Sequence, residues 1–134
     1  MIRRLLAKRG AMPSKLRAEL DAEGLEVLEE RLEGDVSYRG YEAMGQRPRS
    51  GHQSTIAAVA LTPRRLVVRG TGNVQLECGP GPVTSSVEEG QLVLAYEASD
   101  IYPTRSGLVT MRLRTPRAQD IHARLQAWSE TSRS

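Results

Sequence analysis

With 134 residues the chain has the length of one domain, enough to bury roughly two-thirds of its unfolded surface without covalent staples. Its single cysteine, Cys78, excludes an intramolecular disulfide framework and a multi-cysteine metal site, and its most apolar run, Ile56 to Leu61, is far too short to span a bilayer. The net charge of +3 is mild but comes in alternating blocks: residues 1–17 and 39–69 are basic, 18–38 and 70–104 acidic, and 105–134 basic again. Such blocks can pair within a fold, so the basic balance is weak evidence for a polyanionic partner.

Residues 1–12 read as a basic tail, with Arg3, Arg4, Lys8 and Arg9 around Ile2, Leu5 and Leu6, uncoupled by Gly10 and Pro13 from the helical segment beyond. Leu5-Leu6-Ala7 is too short for the apolar core of a secretory signal, so a cytoplasmic location is expected. From Ser14, Leu16, Leu20, Leu25, Leu28 and Leu32 have helical spacing, with Glu26, Glu29, Glu30 and Glu33 facing water. Residues 13–33 are therefore expected to form an N-terminal helix ending at Gly34, although Gly24 leaves helix or strand open over Leu25–Leu32.

Beyond Gly34 the period shortens. Val36 to Met44 reads as a strand, Gly45 to Gly51 as a loop, and Ser54 to Thr62 as a strand rich in small residues. Thr62-Pro63 makes a tight corner into Arg65–Arg69, whose Leu66 and Val68 share one side. Gly70-Thr71-Gly72-Asn73 is a hairpin loop returning through Val74–Glu77. Val83–Val87 and Gln91–Ala98 flank Glu88-Glu89-Gly90, and Leu108–Arg114 is the last strand. Thr115 has N-cap chemistry and Pro116 suits the first helical turn. Ala118, Ile121, Leu125 and Trp128 then form one stripe of a helix. The fold expected is mainly β (α+β): about seven antiparallel strands over residues 34–130, with flanking helices.

Two segments resemble the bacterial branch of the pleckstrin-homology-like barrels. Ala60-Leu61-Thr62-Pro63-Arg64-Arg65-Leu66-Val67 is similar to that family's hairpin corner, and Ser106-Gly107-Leu108-Val109 through Leu113-Arg114-Thr115-Pro116 to its last strand and helix start. The resemblance implies a seven-stranded barrel whose C-terminal helix plugs one end and buries Trp128. The helical start is a departure from a minimal barrel. Members that bind phosphoinositides place a basic residue in the first strand and a basic-x-arginine near the next loop. Arg39, Arg47 and Arg49 have that spacing, with Pro48 as a departure, and guanidinium forks suit phosphate oxygens.

No catalytic constellation accompanies this pattern, and no cofactor is implied. His52 and His122 lack Cys or carboxylate companions at metal-ligand spacing. Ser85-Ser86 has no glycine elbow, Gly70-x-Gly72 lacks the rest of a dinucleotide loop, and Glu88-Glu89 reads as a solvated turn. Cys78 reads as a small buried hydrophobe beside the Gly79-Pro80 turn. Tyr38-Arg39-Gly40-Tyr41 is the sole basic–aromatic interleave and is explained by strand pairing, so nucleic acid is not the expected partner. The expectation is a non-enzymatic module that binds a protein partner or itself and takes no small-molecule substrate. The alternative is peripheral binding to anionic lipid headgroups through Arg39, Arg47, Arg49 and the basic tail.

Overall fold

Turn chemistry at Thr62-Pro63, Gly72-Asn73, Glu89-Gly90 and the Gly79–Pro82 run divides the chain into short strands that must pair antiparallel with their neighbours. The computed structural model describes residues 9–43 and 49–133, without the side chains of residues 49 and 131–133. Helix α1 (Ser14–Ala22) precedes β1 (Val27–Ala43), β2 (Arg49–Leu61), β3 (Leu66–Gly70), β4 (Val74–Cys78), β5 (Thr84–Glu88), β6 (Gln91–Glu97) and β7 (Arg105–Arg114), and helix α2 (Ala118–Arg133) closes the chain. The strands form one antiparallel sheet in the order β4-β3-β2-β1-β7-β6-β5, curled into a half-barrel. The long β1 is its hinge, pairing with β2 on one side and β7 on the other.

The inner face holds the main core. Leu32, Val36, Val59, Leu61, Leu66, Val68, Leu76, Leu92, Leu94, Met111 and Leu113 meet there, and Ala118, Ile121 and Leu125 of α2 pack onto them. A second cluster lies on the outer face, where Met12 and Leu20 cover Ala58, Ala60 and Val67. This explains the small residues of β2. Alanines on the outer side let α1 lie close to the sheet, and Val67 is buried like Leu66 and Val68, so β3 is covered on both faces.

The helix expected over residues 13–33 is corrected here. It ends at Ala22, Gly24 turns the chain at φ +92°, and Val27 begins β1. The leucines had helical spacing because this strand is buried on two faces: Leu25 and Leu28 pack on the outer cluster, Val27 and Leu32 on the inner. A bulge between Glu29 and Leu32, with Arg31 at φ 58°, switches the alternation between Leu28 and Leu32. The expected tail also needs revision. Met12 is 5% exposed, its N–H donates to Glu30 Oε2 at 2.7 Å, and Gly10 accepts from the Arg31 N–H, so at least residues 10–12 belong to the folded unit. Residues 1–8 lie outside the described residues.

Two smaller differences concern the ends of elements. β2 starts at Arg49, earlier than the loop expected over 45–51 allowed. Helix α2 starts at Ala118 and continues past Trp128 to Arg133, while Thr115 Oγ1 accepts the Arg117 N–H at 3.1 Å and so caps the turn ahead of the helix.

Candidate functional site

The Thr62–Arg65 corner is where both helices are tied to the sheet. Thr62 Oγ1 accepts the backbone N–H groups of Arg64 and Arg65, both at 3.1 Å, and donates to Glu23 Oε1 at 3.2 Å. Arg65 forks onto the same carboxylate, with Nε to Oε1 at 3.1 Å and Nη2 to Oε2 at 2.6 Å, and reaches Glu77 of β4 with Nη1 at 2.9 Å. The Arg65 hydrogen bond holds the Glu23 carboxyl below its usual range, and the same bond raises Arg65. On the other side of the corner, Trp128 Nε1–H donates to the Pro63 carbonyl at 2.9 Å. Trp128 packs against the inner core but stays partly exposed, so the expectation that the barrel end buries it holds only in part.

Beside Trp128 lies a groove of about 220 Å³ between α2 and the β4–β5 connection, lined by Leu66, Val83, Thr84, Ser85, Leu125 and Trp128 among others. The groove mixes apolar Leu66, Val83, Leu125 and Trp128 with polar Thr84, Ser85, Gln126 and Ser129, and one wall is β5, an edge strand whose only sheet neighbour among the described residues is β6. Where β5 meets α2, Ser85 Oγ and His122 Nδ1 are 2.8 Å apart. Such a pair could pass a proton, but nucleophilic catalysis also needs a group to orient the imidazole and donors for an oxyanion. The carboxylate closest in sequence, Asp120, is taken by Arg117 and Arg124, whose hydrogen bonds, Arg117's first, hold it below its usual range. The bond ties α2 to the edge strand.

The other end of β1 carries a cluster of tyrosines. Tyr38 and Tyr41 have ring centroids 5.3 Å apart, and with Tyr96, Arg105 and Met111 they surround a cavity of about 40 Å³. Arg105 lies over the Tyr102 ring, 4.6 Å from its centroid. Burial raises the phenol of Tyr96 well above its ordinary pKa, so its ring stands in the mouth as a neutral side chain.

Two of the three predicted anion residues can be placed relative to this mouth. Arg39 is exposed in β1 opposite Leu108, the backbone of Arg49 pairs with Tyr41, and Arg47 lies outside the described residues. Arg105 pairs with Ala43, so the register adds a fourth arginine that sequence spacing did not single out. His52 is exposed in β2 opposite Ser37, far in sequence register from His122. Cys78 is buried, and desolvation pushes its thiol up to about 11, which keeps it protonated at neutral pH. Among the described residues no group of three or more His, Cys, Asp and Glu side chains converges, and no helix is long and apolar enough to cross a membrane.

Sequence reasoning missed two relationships. Glu23 and Arg65 are 42 positions apart, and Ser85 and His122 are 37 apart, so neither pairing leaves a local signal. Compared with known proteins, the chain matches no family model, no curated protein and no solved structure.

Proposed function

We propose that the protein is a non-enzymatic, pleckstrin-homology-like interaction module, and that the groove between β5 and α2 receives an extended segment of a protein. The observation that carries this reading is an edge strand, with one sheet neighbour among the described residues, lying beside a groove that includes Leu66, Val83, Leu125 and Trp128. An extended chain could add to the strand through its backbone while one apolar side chain enters the groove near Trp128. The pleckstrin-homology-like assignment draws support from the strand order and from the single C-terminal helix packed on the inner core. In this reading the module works in the cytoplasm, takes no cofactor and catalyses nothing.

Trp128 is the only tryptophan and lines the groove, so its emission reports occupancy. Peptides selected from a random displayed library should shift that emission on titration. Thr84→Arg, an exposed position on the groove wall, should abolish the shift without changing the melting temperature. Peptides that bind without moving Trp128 emission, or equally well to Thr84→Arg, would remove the groove from consideration.

A second reading is favoured by the register around β1. Residue 49 pairs with Tyr41 and Arg105 with Ala43, which brings arginine positions from β2 and β7 to either side of the same hairpin. With Arg39, Arg47 and the basic tail they would offer an anionic lipid surface several guanidinium groups.

A further inference from the structure

We infer that the occupant of the β5 edge is the β5 edge of a second copy of this chain, paired antiparallel about a two-fold axis through Ser86. The inference rests on the reading of β5 as a docking strand and names its partner. The sheet has two edges, and they are treated differently. β4 carries Glu77, which is engaged by Arg65 at 2.9 Å and approached by Arg69 of β3 at 3.7 Å, so an ion network ties it to the strand it already pairs with. Tyr102, from the β6–β7 connection, is directed toward the Glu77 backbone on the same strand.

β5 is short and is flanked by Pro82 and Glu89, but the strand itself carries few of the guards of an exposed edge. Thr84-Ser85-Ser86-Val87-Glu88 contains no lysine, no proline and no arginine. Its pairing with β6 runs without a register shift from Thr84↔Ala95 to Glu88↔Gln91. Natural edges are normally blunted by inward or flanking charge, proline or a bulge, and an edge lacking them is competent to pair. Its single charge, Glu88, is neutralised in the same molecule by Arg112, which hydrogen-bonds it.

The sequence of β5 is also compatible with itself in reverse. In an antiparallel register centred on Ser86, Ser86 faces its own copy, Ser85 faces Val87, and Thr84 faces Glu88. No carboxylate faces a carboxylate, and the two Glu88 residues sit at opposite ends of the ladder. Thr84, Ser86 and Glu88 are exposed while Ser85 and Val87 are half-buried, so one face of the joined ladder would be polar and the other would continue the inner core. Isologous contacts of this kind close after two copies and do not propagate.

The test uses the full chain. Sedimentation equilibrium from micromolar to millimolar concentration is expected to give twice the 14.8 kDa chain mass at the upper end. Ser86→Lys sets two ammonium groups face to face and should return the protein to monomer, with a melting temperature equal to the parent's at concentrations where the parent is itself monomeric. Opposed residues at the two-fold have Cβ atoms about 4.5–5.5 Å apart, close enough that a small backbone adjustment reaches the roughly 3.5–4.5 Å of a disulfide. In a Cys78→Ser background, Ser86→Cys should therefore link covalently under mild oxidation. Thr84→Cys and Glu88→Cys should not link by themselves but should link when combined in one chain or mixed as two variants. A monomer at every concentration overturns the inference, as does a dimer that survives Ser86→Lys and does not link through Ser86→Cys. A monomer whose Trp128 emission still responds to selected peptides would overturn the second copy alone and leave the groove reading standing.

Discussion

The carbonyl oxygen of Gly10 accepts the backbone N–H of Arg31 at 2.8 Å, so the N-terminal segment is fastened onto the bulge in β1. The approach is close enough that a Cβ on Gly10 would lie 2.5 Å from Ile56 Cγ2 and 2.9 Å from the Arg31 Cα, and Gly10 itself sits at φ +72°. Gly10→Ala is therefore expected to cost about 2 kcal/mol, from overpacking and an unfavourable backbone together. A chain beginning at Pro13 loses this bond and the buried Met12 as well, which should cost about 2–4 kcal/mol, as for other buried Met truncations. Urea denaturation of the two variants beside the parent checks both values; a Pro13 start with parental stability would contradict the packing of Met12.

The bulge itself makes a second prediction. Arg31 holds φ 58°, a region that costs an ordinary L-residue about 1 kcal/mol or more and a β-branched one most. Arg31→Gly and Arg31→Asn should each be more stable than Arg31→Val by about 1–2 kcal/mol. Equal stabilities across the three would mean that the strand can pass this point without the left-handed turn.

Part of the fold could be read from the sequence because several strands obey one rule. Val74, Leu76 and Cys78 alternate buried with exposed neighbours, Val109, Met111 and Leu113 alternate with less buried ones, and both strands are bounded by Gly, Pro or Asn turns. The same rule failed at residues 25–33, where burial on both faces and the Arg31 bulge imitate a helical period. It failed again at residues 10–12, where a short segment is fixed by contacts with β1 and β2 that no local pattern encodes. The site was less legible for a related reason. Thr62, Pro63 and Arg65 stood out as a corner, but their partners Glu23 and Trp128 come from opposite ends of the chain.

Trp128 can be divided into its ring and its donor. The ring packs on the inner core while remaining partly exposed, so Trp128→Ala should cost about 2–3 kcal/mol, below the range for fully buried aromatics. Trp128→Phe keeps most of the packing and removes the hydrogen bond to Pro63, for which about 0.5–1 kcal/mol is expected. Chemical denaturation followed by far-ultraviolet circular dichroism avoids relying on the missing fluorophore. A larger loss in the Phe variant than in the Ala variant would show that the donor, not the ring, fastens α2.

Acid should weaken the corner. Glu23 is held below its ordinary range, chiefly by the Arg65 hydrogen bond, and Glu97 likewise by the Ser99 backbone N–H. A carboxyl with a depressed folded pKa stabilises the fold above its unfolded value, about 4.3 for Glu, and loses that contribution as pH falls through the folded value. Glu23→Gln should therefore melt below the parent at pH 7, with the gap closing at about pH 2 as the parent carboxyl takes up its proton. A gap that is constant across this range would assign the loss to packing instead of charge.

The arginine mouth separates lipid binding from folding. If Arg47 and Arg49 serve only an anionic surface, replacing both with Ala should leave the melting temperature unchanged, since exposed charges contribute only about 0–1 kcal/mol as pairs. If the mouth meets an anionic surface, the same double variant should lose salt-sensitive pelleting with vesicles rich in anionic lipid, since each basic group near such a surface adds on the order of 1 kcal/mol. Arg105→Ala should weaken pelleting too, but it also breaks the contact with Tyr102 and should lower stability by about 0.5–1 kcal/mol. Deleting residues 1–8 tests the tail by itself, because this cut keeps Gly10 and Met12 in place. Loss of pelleting on that deletion, with the arginine variants unaffected, would assign the membrane contact to the tail and leave the mouth as a tyrosine-filled end of the barrel. No pelleting by the parent protein would end the lipid reading altogether.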